Sequence, residues 1–262
     1  MTFVLIAAAL YLVAATLLMR RIARGQEPGS IPWAVLASVA VLAHGFYHVL
    51  TWREVGGADM HFFSALSLVG LGMAILTVLV GLRGHMAALG VIVFPLAAVA
   101  AGIYANVPHV GSETLDWRLQ LHAWCALLAY ATLAVAALLA VLLWAQERAL
   151  RRREFHPWLR ALPPLTALES LLFRTIGTGF VLLSATLLTG ILFVHDFFAQ
   201  HLIHKSVLSI LSWLVFGALL AGRWRYGWRG ARAIGWTLTA MALLVLAFFG
   251  SKFVLELVLH RT

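Results

Sequence analysis

Histidine is the residue with most chemistry to offer in this sequence, which carries 11 of them. A neutral imidazole is the commonest protein ligand for metals and the usual axial ligand of haem iron. Two histidines occupy comparable positions. His122 opens an apolar run in Trp117-Arg118-Leu119-Gln120-Leu121-His122-Ala123-Trp124, and His260 closes another after Leu257-Val258-Leu259. Two imidazoles at one depth on different helices could grip a planar metal complex from opposite faces. Spacing alone leaves a second reading open, because any two span ends share a depth: two interfacial histidines with no common partner.

Other polar residues lie deeper. His44 and His48 are four residues apart and share one helix face. An ionisable residue inside a membrane span is a functional candidate by default. Stacked about 6 Å apart along one axis, these two suit separate roles better than opposite coordination of one iron. Lys252, Glu256 and His260 also share a face, either as an ion pair that neutralises charge near the membrane edge or as a polar stripe leading towards an outer site. The stretch His195-Asp196-Phe197-Phe198-Ala199-Gln200-His201-Leu202-Ile203-His204-Lys205 has donors for a divalent ion. Its phenylalanines favour a segment lying along the membrane surface as a lid over an apolar ligand.

These residues must be positioned by membrane helices. Of 262 residues 63% are apolar and 11% charged, against roughly 25% charged in soluble domains, and the mean hydropathy is +0.95. Such a chain is neither a water-soluble enzyme, nor a disulfide-stapled secreted domain, nor a disordered tail. Apolar runs fall near 2–19, 31–51, 62–82, 86–105, 119–145, 168–194, 206–222 and 233–257. At about 20 residues per span, this predicts an all-α polytopic bundle of eight transmembrane helices, forming a single integral membrane domain over 1–262. The first run has its arginines after it rather than before it, and so reads as a retained span rather than a cleaved signal. The lone Cys125 excludes an internal disulfide and a Cys-x-x-Cys-His haem attachment site. There is no Gly-x-Ser-x-Gly, no His-Glu-x-x-His and no phosphate-binding glycine loop. A two-haem electron wire needs histidines about 13–14 residues apart on one spanning helix, and no run has that pair.

Basic residues orient the bundle. With the N-terminus outside, the inner connections collect 13 of the lysines and arginines that flank the spans and the outer ones four, namely Arg53, Arg118, Lys205 and Arg261. Eight spans then return the C-terminus outside. The net charge of +9 is thus assigned to loops that meet anionic lipid rather than nucleic acid. In this topology His48, His61, His109, His122, His195, His201, His204 and His260 lie at or near the outer surface, while His44 is well inside the second span and only His85 and His156 fall inside.

Against this background the sequence resembles a family. Ser212-Trp213-Leu214, Gly227-Trp228-Arg229-Gly230, Phe249-Gly250 and Leu259-His260 resemble the C-terminal part of the CcsA-type cytochrome c assembly proteins of the haem-handling superfamily. Leu121-His122 through Leu127-Leu128-Ala129-Tyr130-Ala131 is similar to the segment before that family's haem-binding region. Pro163-Pro164-Leu165, Glu169, Leu172-Phe173-Arg174 and Gly190 are similar to its short HemX-like and YpjD-like branch. The resemblance covers 119–262 well and 1–118 by span count.

The resemblance implies that His122 and His260 are axial haem ligands. The family's tryptophan-rich signature ending in Asp-Pro-Lys is absent; the His195-to-Lys205 stretch stands in its place, with Lys205 keeping the lysine and Trp213 a later tryptophan. The family's intramembrane histidine falls on Ala221, for which His44 is a candidate substitute. The expectation is therefore a bacterial inner-membrane protein that binds haem b at its outer face and assists cytochrome c biogenesis, haem export or haem chaperoning. It is a haem-handling relative rather than a complete haem lyase. Trp124, Trp213, Phe249 and the Phe197–Phe198 segment would contact the macrocycle, and Arg118 or Lys252 its propionates. The expected partners are haem, membrane lipid and apocytochrome c or other biogenesis proteins. Two other readings stay open. One is a transporter using His44 and the Lys252–Glu256 pair as a proton relay. The other is an accessory subunit whose helix surfaces, such as Gly217 to Gly222, bind partners.

Overall fold

The computed structural model describes residues 1–26, 31–82, 85–109, 116–153, 159, 162–193 and 203–250, leaving the side chains at 85–86, 203–204 and 249–250 undescribed. The described regular structure is helical. It comprises α1 (Thr2–Ala23), α2 (Ile31–Val55), α3 (Phe62–Gly81), a 3₁₀ turn (His85–Leu89), α4 (Gly90–Ala105), α5 (Trp117–Arg151), α6 (Leu165–Phe193), α7 (Ile203–Tyr226), α8 (Ala231–Val245) and a π turn (Leu246–Gly250). Eight of these segments are long and apolar enough to cross a membrane, as expected. With 35 residues, α5 extends about 52 Å and outruns the hydrocarbon core of about 30 Å. Its polar continuation through Gln146, Glu147 and Arg148 keeps good helix formers beyond the apolar run.

The chain divides into two compact units. Unit 1 comprises Met1–Leu115 and Arg148–Leu168; unit 2 comprises Asp116–Glu147 and Glu169–Thr262. In unit 1, α1 packs on α2 and α4, and α3 packs on α4. The buried residues of α1 are Val4, Ala7, Tyr11, Ala14 and Leu18, a stripe at alternating spacings of three and four, with Ala15 beside it. Lipid tails are as apolar as leucine, so close packing of small residues has to hold these helices together. Ala97, Ala98, Ala100 and Ala101 on α4 are buried. A Cβ on Gly70 of α3 would stand 3.4 Å from both Ala97 Cα and Ala100 Cβ, so the two backbones approach closely there.

In unit 2, α7 and α8 pack together. Ser212 Oγ on α7 donates to the Ala240 carbonyl on α8 at 2.7 Å. Trp213 Nε1 donates to Ser184 Oγ on α6 at 2.8 Å, while its ring stacks on Phe180. The turn between α7 and α8 is set by Gly227 and Gly230, both at positive φ. Glu169 at the start of α6 clamps that turn: its carboxylate accepts from Arg229 Nε at 2.9 Å and from the Gly230 backbone N–H at 3.3 Å, and lies 3.5 Å from Arg223 Nη1. The Gly-Trp-Arg-Gly run and Glu169, separate in sequence, thus form one corner.

Candidate functional site

Unit 2 contains a cavity of 270 Å³ between α5, α6, α7 and the end of α8. From α5 it takes His122, Ala126 and Tyr130, four residues apart and therefore on one face. Leu183, Thr186 and Leu187 come from α6; Lys205, Ser206 and Ser209 from α7; Leu244, Ala247 and Phe248 from the last helix and its π turn. The walls are mainly apolar, with an imidazole, an ammonium and hydroxyls among them, the composition expected of a small-molecule site.

The protonation pattern of His122 follows from its neighbours. Thr189 Oγ1 donates to the Ala185 carbonyl at 2.8 Å or to the Thr186 carbonyl at 3.0 Å, as helix-buried threonines do. A hydroxyl has one hydrogen. The contact of 3.1 Å between Thr189 Oγ1 and His122 Nδ1 is therefore a bond that Nδ1–H donates. This leaves the Nε2 lone pair available, the form in which histidine binds a metal, with the second nitrogen fixed by a hydrogen bond. Tyr130 closes another part of the wall: its hydroxyl donates to the Leu244 carbonyl at 2.6 Å, beside the π turn. Such turns loosen the regular hydrogen-bond ladder and are frequent at functional sites.

These features fit a haem: apolar walls for the macrocycle, one imidazole with a free lone pair, and Lys205 as a cation for a carboxylate. The other expected residues are placed as follows. Trp124, 37% exposed, and Trp213 stand outside the cavity lining. The Arg118 guanidinium lies over the Trp117 and Phe193 rings at 5.6 Å and 5.8 Å. His260, Lys252, Glu256, the Phe197–Phe198 segment, His195 and His201 lie outside the described residues, as do the side chains of Phe249 and His204. Thr189, Phe248, Ser206 and Ser209 did not stand out in the sequence, since single hydroxyl or aromatic residues in apolar runs carry no motif; Tyr130 was marked only as part of the family-like run that begins at His122.

Unit 1 holds a second polar group, which includes His44. His44 and His48 are fully buried, and both Nε2 atoms contact Ser67 Oγ, at 2.9 Å and 3.0 Å. Towards the end of α2, His48 stacks on Tyr104 with centroids 4.6 Å apart. The Tyr104 hydroxyl donates to Asp59 Oδ2 at 3.3 Å. Asp59 Oδ1 accepts from the His61 backbone N–H at 3.2 Å and also bonds His61 Nδ1. His109 Nδ1 lies 3.8 Å from Asp59 Oδ2, and Tyr47 Oη is 3.1 Å from His109 Nε2. Burial pushes the Asp59 carboxyl up, but the hydrogen bonds from His61 and the nearby imidazoles outweigh it and hold the group below its usual range. Among the described residues no set of three histidine, cysteine or acidic side chains is arranged to hold a metal ion.

Comparison with known proteins identifies the family. The family described as cytochrome C assembly protein matches residues 2–259. Inner membrane protein YpjD of Escherichia coli strain K12 is 31% identical over 204 residues, covering 77% of each chain. Protein HemX of Brevibacillus brevis is 26% identical, covering 83% of this chain and 78% of its own. Cytochrome c biogenesis protein CcsA of Guillardia theta is 24% identical, covering 76% of each. No solved structure matches. With eight helices fit to cross a membrane and a family match running nearly end to end, the chain is a multi-pass membrane protein and belongs to the cytochrome c assembly family.

Proposed function

We propose that this protein carries haem b in the inner membrane, in service of cytochrome c biogenesis. Haem is its cargo, held in the unit 2 cavity with His122 as one axial ligand and His260 as the other, and passed to apocytochrome c or another biogenesis protein. The observation that carries the reading is the His122–Thr189 bond, which leaves an Nε2 lone pair on an imidazole that lines an apolar cavity. Lys205 in the same lining is the natural partner of a propionate, since an ion pair in a low-dielectric wall is stronger than in water. Bound iron supplies the redox couple; the protein supplies ligation, orientation and exclusion of water. The excess of inner basic residues orients the bundle with both termini and the cavity end of α5 outside.

The test is an absorption spectrum of the detergent-purified protein, oxidised and dithionite-reduced, beside His122→Ala and His260→Ala. The expected result is a reduced b-type spectrum in the wild type that weakens in both variants. A wild type that stays colourless after haem supplementation would end the proposal.

A further inference from the structure

The turn between α7 and α8 joins two membrane spans, Lys205–Tyr226 and Ala231–Phe248, so it lies at a surface of the bilayer. Arg223, Arg225, Arg229 and Arg232 fall within ten residues there. Two carboxylates stand near them: Glu169, buried in the corner, and Glu147, whose Oε1 would be 2.9 Å from a Cβ on Gly230. The four arginines are not alike. Arg223 is engaged inwards: its Nη1 donates to the Trp228 carbonyl at 3.2 Å and lies 3.5 Å from Glu169, and its guanidinium covers the Phe173 ring at 4.7 Å. Arg229 bonds Glu169 through Nε alone, and its side chain is largely exposed. A guanidinium has five N–H donors, so four of them, on the Nη atoms, remain for a second partner. Arg225 and Arg232 are exposed, and neither has an ion pair among the described residues.

An aromatic strip connects these cations. The Arg225 guanidinium lies 5.8 Å from the Tyr226 ring centroid. Tyr226 stacks on Trp228 with centroids 6.4 Å apart, and Trp228 meets Trp236 at 5.1 Å. Trp236 follows Arg232 by four residues and therefore shares its face of α8. The strip thus has Arg225 at one end and Arg232 beside the other, with Arg229 in the turn between. It is open to the surroundings: Trp224 and Tyr226 are 90% and 73% exposed. Amphipathic rings left outside the packed core at the end of a span belong at headgroup level.

We propose that the α7–α8 corner is a binding site for an anionic phospholipid. The phosphate accepts hydrogen bonds from the outward guanidinium groups of Arg225, Arg229 and Arg232, and the glycerol backbone and upper acyl chain lie along the Tyr226–Trp228–Trp236 strip. Arginine suits this role because its planar fork matches phosphate oxygens two at a time. Glu169 is a positioning residue: by fixing Nε of Arg229 it orders that guanidinium before the lipid arrives, which lowers the ordering cost of binding. Four arginines against two carboxylates leave positive charge that the protein does not balance. An anionic lipid balances it, whereas a zwitterionic lipid brings the same phosphate together with a cation that these arginines repel. The site belongs to unit 2 alone and does not depend on haem.

The test uses the full-length chain in detergent, titrated with dioleoyl phosphatidylglycerol or dioleoyl phosphatidylcholine and read by native mass spectrometry. The wild type should retain phosphatidylglycerol at the lower lipid concentration. Arg225→Gln combined with Arg232→Gln should weaken that binding by about fivefold for each arginine removed, while the corresponding pair of lysine substitutions should keep most of it. Arg20→Gln combined with Arg24→Gln removes the same charge from exposed positions of unit 1 and should leave the affinity unchanged. Equal retention of the two lipids by the wild type would overturn the site, as would equal losses in the two glutamine pairs. Displacement of phosphatidylglycerol by glycerol 3-phosphate at matching concentration would overturn it too, since the corner would then take a free phosphate ester rather than a lipid. Should the Arg225–Arg232 glutamine pair fail to fold, the wild-type preference and the displacement experiment decide alone.

Discussion

Thr189 holds His122 by accepting its Nδ1–H, because the threonine's own hydrogen is already given to a carbonyl of α6. Thr189→Val preserves volume and removes that acceptor. Losing a hydrogen bond that orients a metal ligand typically lowers affinity about 10–100-fold. Thr189→Val should therefore weaken haem binding within that range, and His122→Ala should weaken it further, as read by haem titration. Equal affinity in Thr189→Val and wild type would remove the orienting role.

The corner that fixes the α7–α8 turn depends on one carboxylate. Glu169 is 4% exposed at its side chain, whereas Arg229 and Arg223 are 57% and 31% exposed. Glu169→Gln leaves two guanidinium groups facing a neutral amide. Solvent around Arg229 screens part of the loss, so the cost should be about 1–2 kcal/mol rather than that of a fully buried pair. Thermal unfolding in detergent should show the loss in Glu169→Gln and a smaller one in Arg229→Lys.

Asp59 makes the end of unit 1 sensitive to acid. Its folded carboxyl ionises below the ordinary value of 3.8, so the native state favours the charged form. The stabilisation is fully present above that ordinary value and is lost as pH falls through the lower folded value. Thermal stability in detergent should accordingly drop more steeply in the wild type than in Asp59→Asn as pH is lowered from 5 towards 3. Parallel curves would show that Asp59 is not the responsible group.

The helices were legible because composition and run length dictate spans in a membrane. The spacing of His44 and His48 likewise gave their common face. What bridges them was not legible: Ser67 sits on another helix, and a serine in an apolar run gives no sign of which imidazoles it will meet. Asp59 escaped notice for the same reason, since its meaning comes from Tyr104 and His109, which are remote in sequence. His122 was found through its position at a span end and the family pattern. Thr189 was not, because a helical threonine usually bonds only to its own backbone, and here that very bond is what forces it to accept from His122. Both ends of α5 extend beyond its apolar run because helix propensity continues where hydropathy stops.

Tyr130 joins the cavity wall to the π turn, and its hydroxyl is the test of whether that link matters. Its bond to the Leu244 carbonyl is 2.6 Å long, and the residue is buried. Tyr130→Phe keeps the ring against Phe248, 5.7 Å away between centroids, but withdraws a donor from a carbonyl where the helix is irregular. An unsatisfied buried acceptor costs about 1–3 kcal/mol. The variant should lose that much stability on unfolding. If the turn helps shape the site, it should also release haem faster than the wild type when apomyoglobin is added as an acceptor. A stability loss without faster release would confine Tyr130 to holding α5 and α8 together; no change in either would mean that the carbonyl finds another donor.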